Sequence, residues 1–256
     1  MPAIGDDAAI LDTPNPGSSL LASVDALVSG IDWRDDWSTP ADVGWKAIMV
    51  NASDIAAMGG QPTAFLVAMV VADGFDVDGF YDGALEACAA IGEATVVGGD
   101  LSSGPTTVVS VTALGHADRP VTRNGARVGD GVWVSGPLGA ASRDLRAGGG
   151  AAHRRPTAYL GQLPASATAM IDVSDGLVAD CAHIASASGV GLALDEVPVA
   201  EGATLDDALH GGDDYVLVAC SPVPIDTWTQ IGTCVVGAGV TLNGDHVEPR
   251  GWEHAL

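Results

Sequence analysis

Five short stretches of this sequence set aspartate among small residues at the edge of an apolar run: "IGDDAAIL", "SVDALVSG", "NASDIAAMGG", "VVGGDLSSGP" and "IDVSDGL". They supply Asp6, Asp7, Asp25, Asp54, Asp100, Asp172 and Asp175. A solvated surface acid usually sits among other polar groups, whereas Gly, Ala and Ser neighbours leave room for a ligand to approach the backbone. Carboxylate oxygens are what hard cations such as Mg²⁺ require, and Mg²⁺ keeps waters while gripping phosphates. Several such junctions could hold two or more Mg²⁺ on a polyphosphate. A single junction reads equally as a helix cap, and "DVSDG" allows both readings. In "GGD", Gly98 and Gly99 suggest backbone N–H groups turned toward phosphate oxygens, as in an anion nest.

Other chemistries find little support. No G-x-x-x-x-G-K-[ST] loop and no kinase-type "HRD" or "DFG" occurs. Ser53, Ser135 and Ser174 lack a G-x-S-x-G context, and the six histidines show no metal-ligand spacing. Cys88, Cys181, Cys220 and Cys234 form no C-x-x-C pair and read as buried free thiols in a reducing compartment. Lys46 is the only lysine, so phosphate charge would be offset by metal and a few arginines, Arg123 foremost. Asp213 and Asp214, in "HGGDDYVLVAC", read as either a plain Gly-rich turn or a substrate contact. Trp252 could cap a core or stack on a heteroaromatic ring.

These residues need a scaffold, and strand and helix patterns alternate along the chain. "AAILDT" and "SLLASVDALVSG" read as strands. The stretch "TPADVGWKAIMVNASDIAAMGG" reads as a helix with Thr39 as N-cap and Pro40 at its first position, stopped by Gly59 and Gly60. A strand "PTAFLVAMVVA", a helix "DVDGFYDGALEACAAIGE" and strands "ATVVGGD" and "TTVVSVTALGHA" follow. "RPVTRNGARVGDG" is a turn-rich connector. Beyond it come strand "VWVSG", a helix near 138–147, the Gly-rich break "RAGGGAAHRRP" and a helix over about 175–188. The strands "VGLALDEV" and "DYVLVAC" and a β-branched tail complete the chain. The expectation is an α/β protein of two halves, 1–120 and 121–256.

With 47% hydrophobic residues and 17% charged, the chain should fold into a globular core. It carries 33 acids, 27 of them Asp, against 10 Lys and Arg, for a net charge of −23. That charge repels nucleic acid and anionic membranes. Scarce lysine with scattered Asp suggests a halophilic source, where molar salt cuts the screening length to about 3 Å. No apolar run reaches the ~18 residues of a membrane span, and the start lacks a signal-peptide pattern. A cytoplasmic location is expected.

Taken in order, "GDDAAIL", "NASDIAAMGGQP", "VVGGDLSSGP", "RNGARVGD", "DVSDGL" and "GGDDYVL" resemble thiamine-monophosphate kinase. That family shares its superfamily with aminoimidazole ribonucleotide synthetase, selenophosphate synthetase and HypE. The resemblance implies transfer of the γ-phosphate of ATP onto thiamine monophosphate, with several Mg²⁺ and no phosphoenzyme. It implies an N-terminal mixed sheet with helices that pairs with a second subunit as a homodimer, followed by a C-terminal α/β domain. Carried over by position, Asp6 or Asp7, Asp25, Asp54, Asp100, Asp172 and Asp175 become metal ligands. Gly99, Asp100, Arg123 and Ser174 become ATP contacts, and Asp32, Asp213 and Trp252 substrate contacts. The chain departs from the family in "SVD" for S-T-D, in Asp32 where a His is usual, and in Asp213 where a Glu is usual. The segment that normally precedes "GDDAA" is not in this sequence, which implies a start further upstream. Neither the terminal Cys of HypE nor the N-terminal Cys of selenophosphate chemistry is present. Two other readings stay open: a superfamily member with a different acceptor, or a non-catalytic homologue.

Overall fold

The computed structural model describes residues 5–11 and 17–251. The first half is a five-stranded mixed sheet in the order β1-β2-β5-β3-β4. Its strands are β1 (Ala9–Leu11), β2 (Ser19–Val28), β3 (Gln61–Val71), β4 (Thr95–Ser103) and β5 (Val108–Ala117). Only the β3–β4 pair is parallel. That pair needs a crossover, which α2 (Val77–Ile91) supplies.

Helix α1 (Pro40–Ala57) starts where its cap residues dictate. Asp42 N–H donates to the Thr39 hydroxyl at 3.2 Å, and Thr39 N–H donates to the Asp42 carboxylate at 3.0 Å, a reciprocal capping box. Gly59, at φ 73°, ends it. Helix α1 lies against α2 with no room for side chains at two crossing points. A Cβ on Gly44 would come 2.0 Å from Phe80 O, and one on Gly83 would come 1.8 Å from Ala41 O. Both helices cover one face of the sheet, burying Phe65, Val67, Met69, Ile48, Ile55 and Phe80. Each such large side chain is worth about 1.5–3 kcal/mol of transfer free energy. The sheet also leaves large apolar residues exposed: Val24 at 63%, Leu66 at 40%, Val70 at 37% and Leu101 at 56%.

The second half is a seven-stranded sheet, β12-β11-β8-β10-β6-β9-β7. Its strands are β6 (Gly131–Val134), β7 (Ala169–Asp172), β8 (Gly191–Leu194), β9 (Leu217–Ser221), β10 (Thr229–Val235), β11 (Gly239–Leu242) and β12 (Asp245–His246). Helix α5 (Leu177–Ser188) packs on one face through Leu177, Cys181 and Ile184 against Val132, Ile171 and Val218. The other face, Trp133, Met170, Leu217 and Ala219, receives Ala56 and Ala57 from the end of α1. These strands are covered on both sides, which is why they read as unbroken apolar runs. Helix α1 therefore joins the two sheets and is buried almost all round.

Three short helices complete the fold: α3 (Ala140–Arg146), α4 (Ala151–Arg154) and α6 (Leu205–His210). The expected Gly-rich break at "RAGGGAAHRRP" is corrected in part. Its glycines are irregular, but Ala151–Arg154 forms one helical turn, α4, anchored by Ala152 N–H donating to Asp144 at 2.8 Å. All four cysteines are free and buried.

Candidate active site

Three of the expected acids converge from distant parts of the chain. Asp7 precedes β1, Asp54 lies in the last turns of α1, and Asp172 ends β7. One carboxylate oxygen from each lies within 4.8 Å of the other two. Asp172 is buried and accepts a hydrogen bond from Ser53 Oγ at 2.5 Å. Asp7 Oδ1 accepts from Arg123 Nη2 at 2.6 Å, while Asp7 Oδ2 is buried with no hydrogen-bond partner. Burial, then repulsion from Asp172, Asp25 and Asp7, raises the Asp54 carboxyl well above the ordinary range. Burial and the charge of Asp7 do the same to Asp172. Asp25 extends the cluster from β2. Desolvation and the charges of Asp32, Asp175 and Asp7 raise its carboxyl, and its backbone N–H donates to buried Asn51 at 3.1 Å.

Like charges held this close want a counter-ion. That separation is on the scale of a hard cation's coordination shell, so Asp7, Asp54 and Asp172 would be the residues to hold such an ion. The all-oxygen donor set and the unpartnered Asp7 Oδ2 fit a hard cation. Asp6 is placed differently, its Oδ1 accepting the Arg123 backbone N–H at 2.7 Å.

The two readings of "DVSDG" separate here. Two of its backbone donors are capped by Asp180, four residues beyond Gly176, whose carboxylate accepts from Asp175 N–H at 3.2 Å and Gly176 N–H at 3.0 Å. Burial and the charge of Asp175 push Asp180 up to about 8. Asp172 and Ser174 are not the caps. Asp180 was not singled out from the sequence. Its only signal was an acid at a helical spacing that faces the core.

The turn "GGDDY" divides its two acids. Asp214 accepts from Gly139 N–H at 2.6 Å and so holds the entry to α3. Burial, only partly offset by those donors, raises its carboxyl to about 6. Asp213 stands in the left-handed region at φ 65°, with Tyr215 at φ 51°. Its carboxylate accepts from Lys46 Nζ at 2.7 Å, His153 Nδ1 at 3.0 Å and Tyr215 Oη at 2.9 Å. Burial works against ionisation there, but His153 and Lys46 outweigh it and hold the carboxyl far below its ordinary value. Lys46 and His153 also went unnoticed as site residues. The chain's single lysine, placed among the apolar residues of the middle of α1, was the available signal.

Other expected residues are not brought into the cluster. Gly98, Gly99 and Asp100 lie in β4, paired with Leu66, Val67 and Ala68 of β3. The anion-nest reading of this glycine pair is thereby corrected, because an extended strand lacks the alternating geometry of a nest. Gly99 is required for a different reason: a Cβ there would come 1.8 Å from Val67 O. Asp100 is exposed on this edge strand beside Tyr81. Asp32 Oδ2 accepts from Val28 N–H at 2.7 Å, closing its own turn. Trp252 lies outside the described residues. A cleft of about 870 Å³ between Gln61, His116, Arg119 and Tyr159 contains none of these residues, so chemistry and not size locates the site.

The family described as AIR synthase related protein, N-terminal domain, matches residues 5–117, the first half that carries the five-stranded sheet and most of the candidate acids. The hydrogenase maturation protein HypE in complex with ATP shares the fold, at a TM-score of 0.74 and 19% identity over 97% of this chain and 89% of that one. Nearer relatives narrow the assignment. The thiamine-monophosphate kinase of Mycobacterium tuberculosis (strain H37Rv) is 40% identical over 97% of this chain and 84% of its own length. That of Aquifex aeolicus is 35% identical over 98% and 92%. That of Halobacterium salinarum is 36% identical over 98% and 94%. The structure of AaThiL complexed with AMPPCP and TMP superposes at a TM-score of 0.90 with 35% identity, covering 98% of this chain and 92% of that one. The chain belongs to the thiamine-monophosphate kinase family.

Proposed function

We propose that this protein transfers the γ-phosphate of ATP onto the phosphate of thiamine monophosphate, giving thiamine diphosphate and ADP. The observation that carries the reading is the convergence of Asp7, Asp54 and Asp172 within 4.8 Å. They converge in a fold that matches the AMPPCP and TMP complex at a TM-score of 0.90. An acceptor phosphate oxygen attacks the γ-phosphorus in line as the bond to the ADP oxygen breaks. The acceptor's second ionisation lies near pH 6, by analogy with other phosphate monoesters, so at neutral pH it needs no strong base.

Asp7, Asp54 and Asp172, extended by Asp25 and Asp175, would hold several Mg²⁺ ions; Asp100, expected as a further ligand, stands outside this cluster on β4. The unpartnered oxygen of Asp7 favours it over Asp6 as the ligand. Bound Mg²⁺ would supply positive charge where negative charge spreads over the transferring phosphoryl group. Arg123 holds Asp7 in place and, with Gly99, Asp100 and Ser174, borders the nucleotide. Asp32, Asp213 and Trp252 take the acceptor.

Residues 1–120 are read as the nucleotide, metal and dimerisation domain and 121–256 as the C-terminal domain. The exposed Val24, Leu66, Val70 and Leu101 support a homodimer through the first sheet. No described helix is long and apolar enough to cross a membrane, and a cytoplasmic location is proposed. The test measures ADP and thiamine diphosphate formed from ATP, Mg²⁺ and thiamine monophosphate in high-potassium buffer. Product with this acceptor supports the reading, and ATP turnover only with other acceptors refutes it.

A further inference from the structure

The chain has one lysine, and it is buried at 4% exposure. A buried ammonium is costly unless paired, so its partner indicates what it is for. Lys46 Nζ donates to Asp213 Oδ2 at 2.7 Å and to the Asp32 backbone carbonyl at 3.2 Å. His153 Nδ1 reaches the same Asp213 oxygen at 3.0 Å, and Tyr215 Oη reaches the other at 2.9 Å. Three elements thus hold one carboxylate: α1, α4 and the turn before β9. Asp213 itself keeps 28% of its side chain exposed and sits in a strained left-handed conformation. Strain of that kind persists only where surrounding contacts over-determine it, and it clusters at ligand sites.

The network borders the acid cluster. After burial, the charges of Asp213, Asp25 and Asp172 are what push the Tyr215 phenol up. The cluster therefore has two unlike flanks. One carries the Arg123 guanidinium on Asp7. The other carries Asp32 and Asp213, with Lys46 and His153 behind them. A triphosphate suits the guanidinium flank. A thiazolium ring is a permanent cation and an aminopyrimidine is a hydrogen-bond donor, so both suit a fixed carboxylate.

We infer that Lys46 and His153 are positioning residues that hold Asp213 as the carboxylate receiving the cationic, nitrogen-rich rings of the acceptor. This rests on the proposed acceptor being thiamine monophosphate. Lys46 acts from the N-terminal half on a residue of the C-terminal half, so it also sets the distance between acceptor rings and acid cluster.

The test compares wild type with Lys46→Met, His153→Leu, His153→Asn and Asp213→Asn in steady-state kinetics and in calorimetric titration with thiamine monophosphate. Lys46→Met and His153→Leu are expected to raise the KM for thiamine monophosphate tenfold or more while the KM for ATP stays within twofold. His153→Asn keeps a donor near the Nδ1 position and should restore most of the loss. Combining His153→Leu with Asp213→Asn should cost no more than Asp213→Asn alone, because one residue acts through the other. Equal effects on both substrates, or additive losses, overturn the inference. If Lys46→Met does not fold, the His153 pair decides alone. Failure of the wild type to bind thiamine monophosphate overturns the acceptor reading and this inference with it. Binding by wild type and by His153→Leu alike overturns only this one.

Discussion

Replacing Asp172 with Asn should make the metal-free protein more stable and the enzyme inactive, a pairing that an ordinary buried acid would not give. Asp172 meets Asp7 and Asp54 with oxygens within 4.8 Å. At an effective dielectric of about 20, each like-charge pair at that distance is unfavourable by about 3–4 kcal/mol. Burial first, and this repulsion after it, raise the carboxyls of Asp54 and Asp172, so partial protonation offsets part of the cost. A net gain of about 1–2 kcal/mol is the reasonable remainder, or roughly 3–6 °C in melting temperature for a chain of this size. Asn keeps an oxygen for the Ser53 hydroxyl, so that hydrogen bond survives. Thermal melts in EDTA and in millimolar Mg²⁺ read both effects. The variant should melt higher than wild type in EDTA, lose most of the Mg²⁺-induced shift, and turn over at least about a thousandfold more slowly. A variant that melts lower in EDTA and still responds fully to Mg²⁺ would refute the shared-cation argument.

Asp214 provides a pH test. Its carboxyl is raised to about 6 in the folded state, so the stability it supports is present below its unfolded value near 4 and is lost as pH rises through 6. Asp214→Asn should flatten the curve of stability against pH between 4 and 6 in urea melts. Gly99→Ala would press a methyl against Val67 O, 1.8 Å from the ideal Cβ, and should destabilise the β3–β4 pair by about 1–3 kcal/mol, read by urea unfolding. Thr39→Ala removes the α1 capping hydroxyl and should cost about 1 kcal/mol in the same assay. Leu66→Arg, on the exposed apolar surface of the first sheet, should shift a dimer toward monomer in light scattering while leaving the monomer folded.

Local chemistry made much of the fold legible. Thr39, Pro40 and Gly59 delimit α1 in the structure as in the sequence, and the β-branched runs became strands. Helix α4 was obscured because three glycines precede it and it spans a single turn, too short for any periodicity to register. At the site, small-residue junctions identified Asp54 and Asp172 but could not choose between Asp6 and Asp7. That choice depends on Arg123, 116 residues away from Asp7, taking the Asp6 carboxylate with its backbone and Asp7 with its side chain. The anion-nest geometry expected at Gly98 and Gly99 is not formed, since sequence does not distinguish a glycine that bends the chain from one that lets two strands touch. Lys46 and His153 were missed because their partner, Asp213, is 167 residues from the lysine. No local pattern announces so distant an ion pair.

The interior position of Lys46 also affects handling. With its single ε-amine enclosed, the folded chain offers amine-reactive dyes, crosslinkers and activated resins no lysine on its exterior. Labelling of an ε-amine would therefore report unfolding, which makes a lysine-directed reagent a built-in gauge of how often the inside of this protein opens.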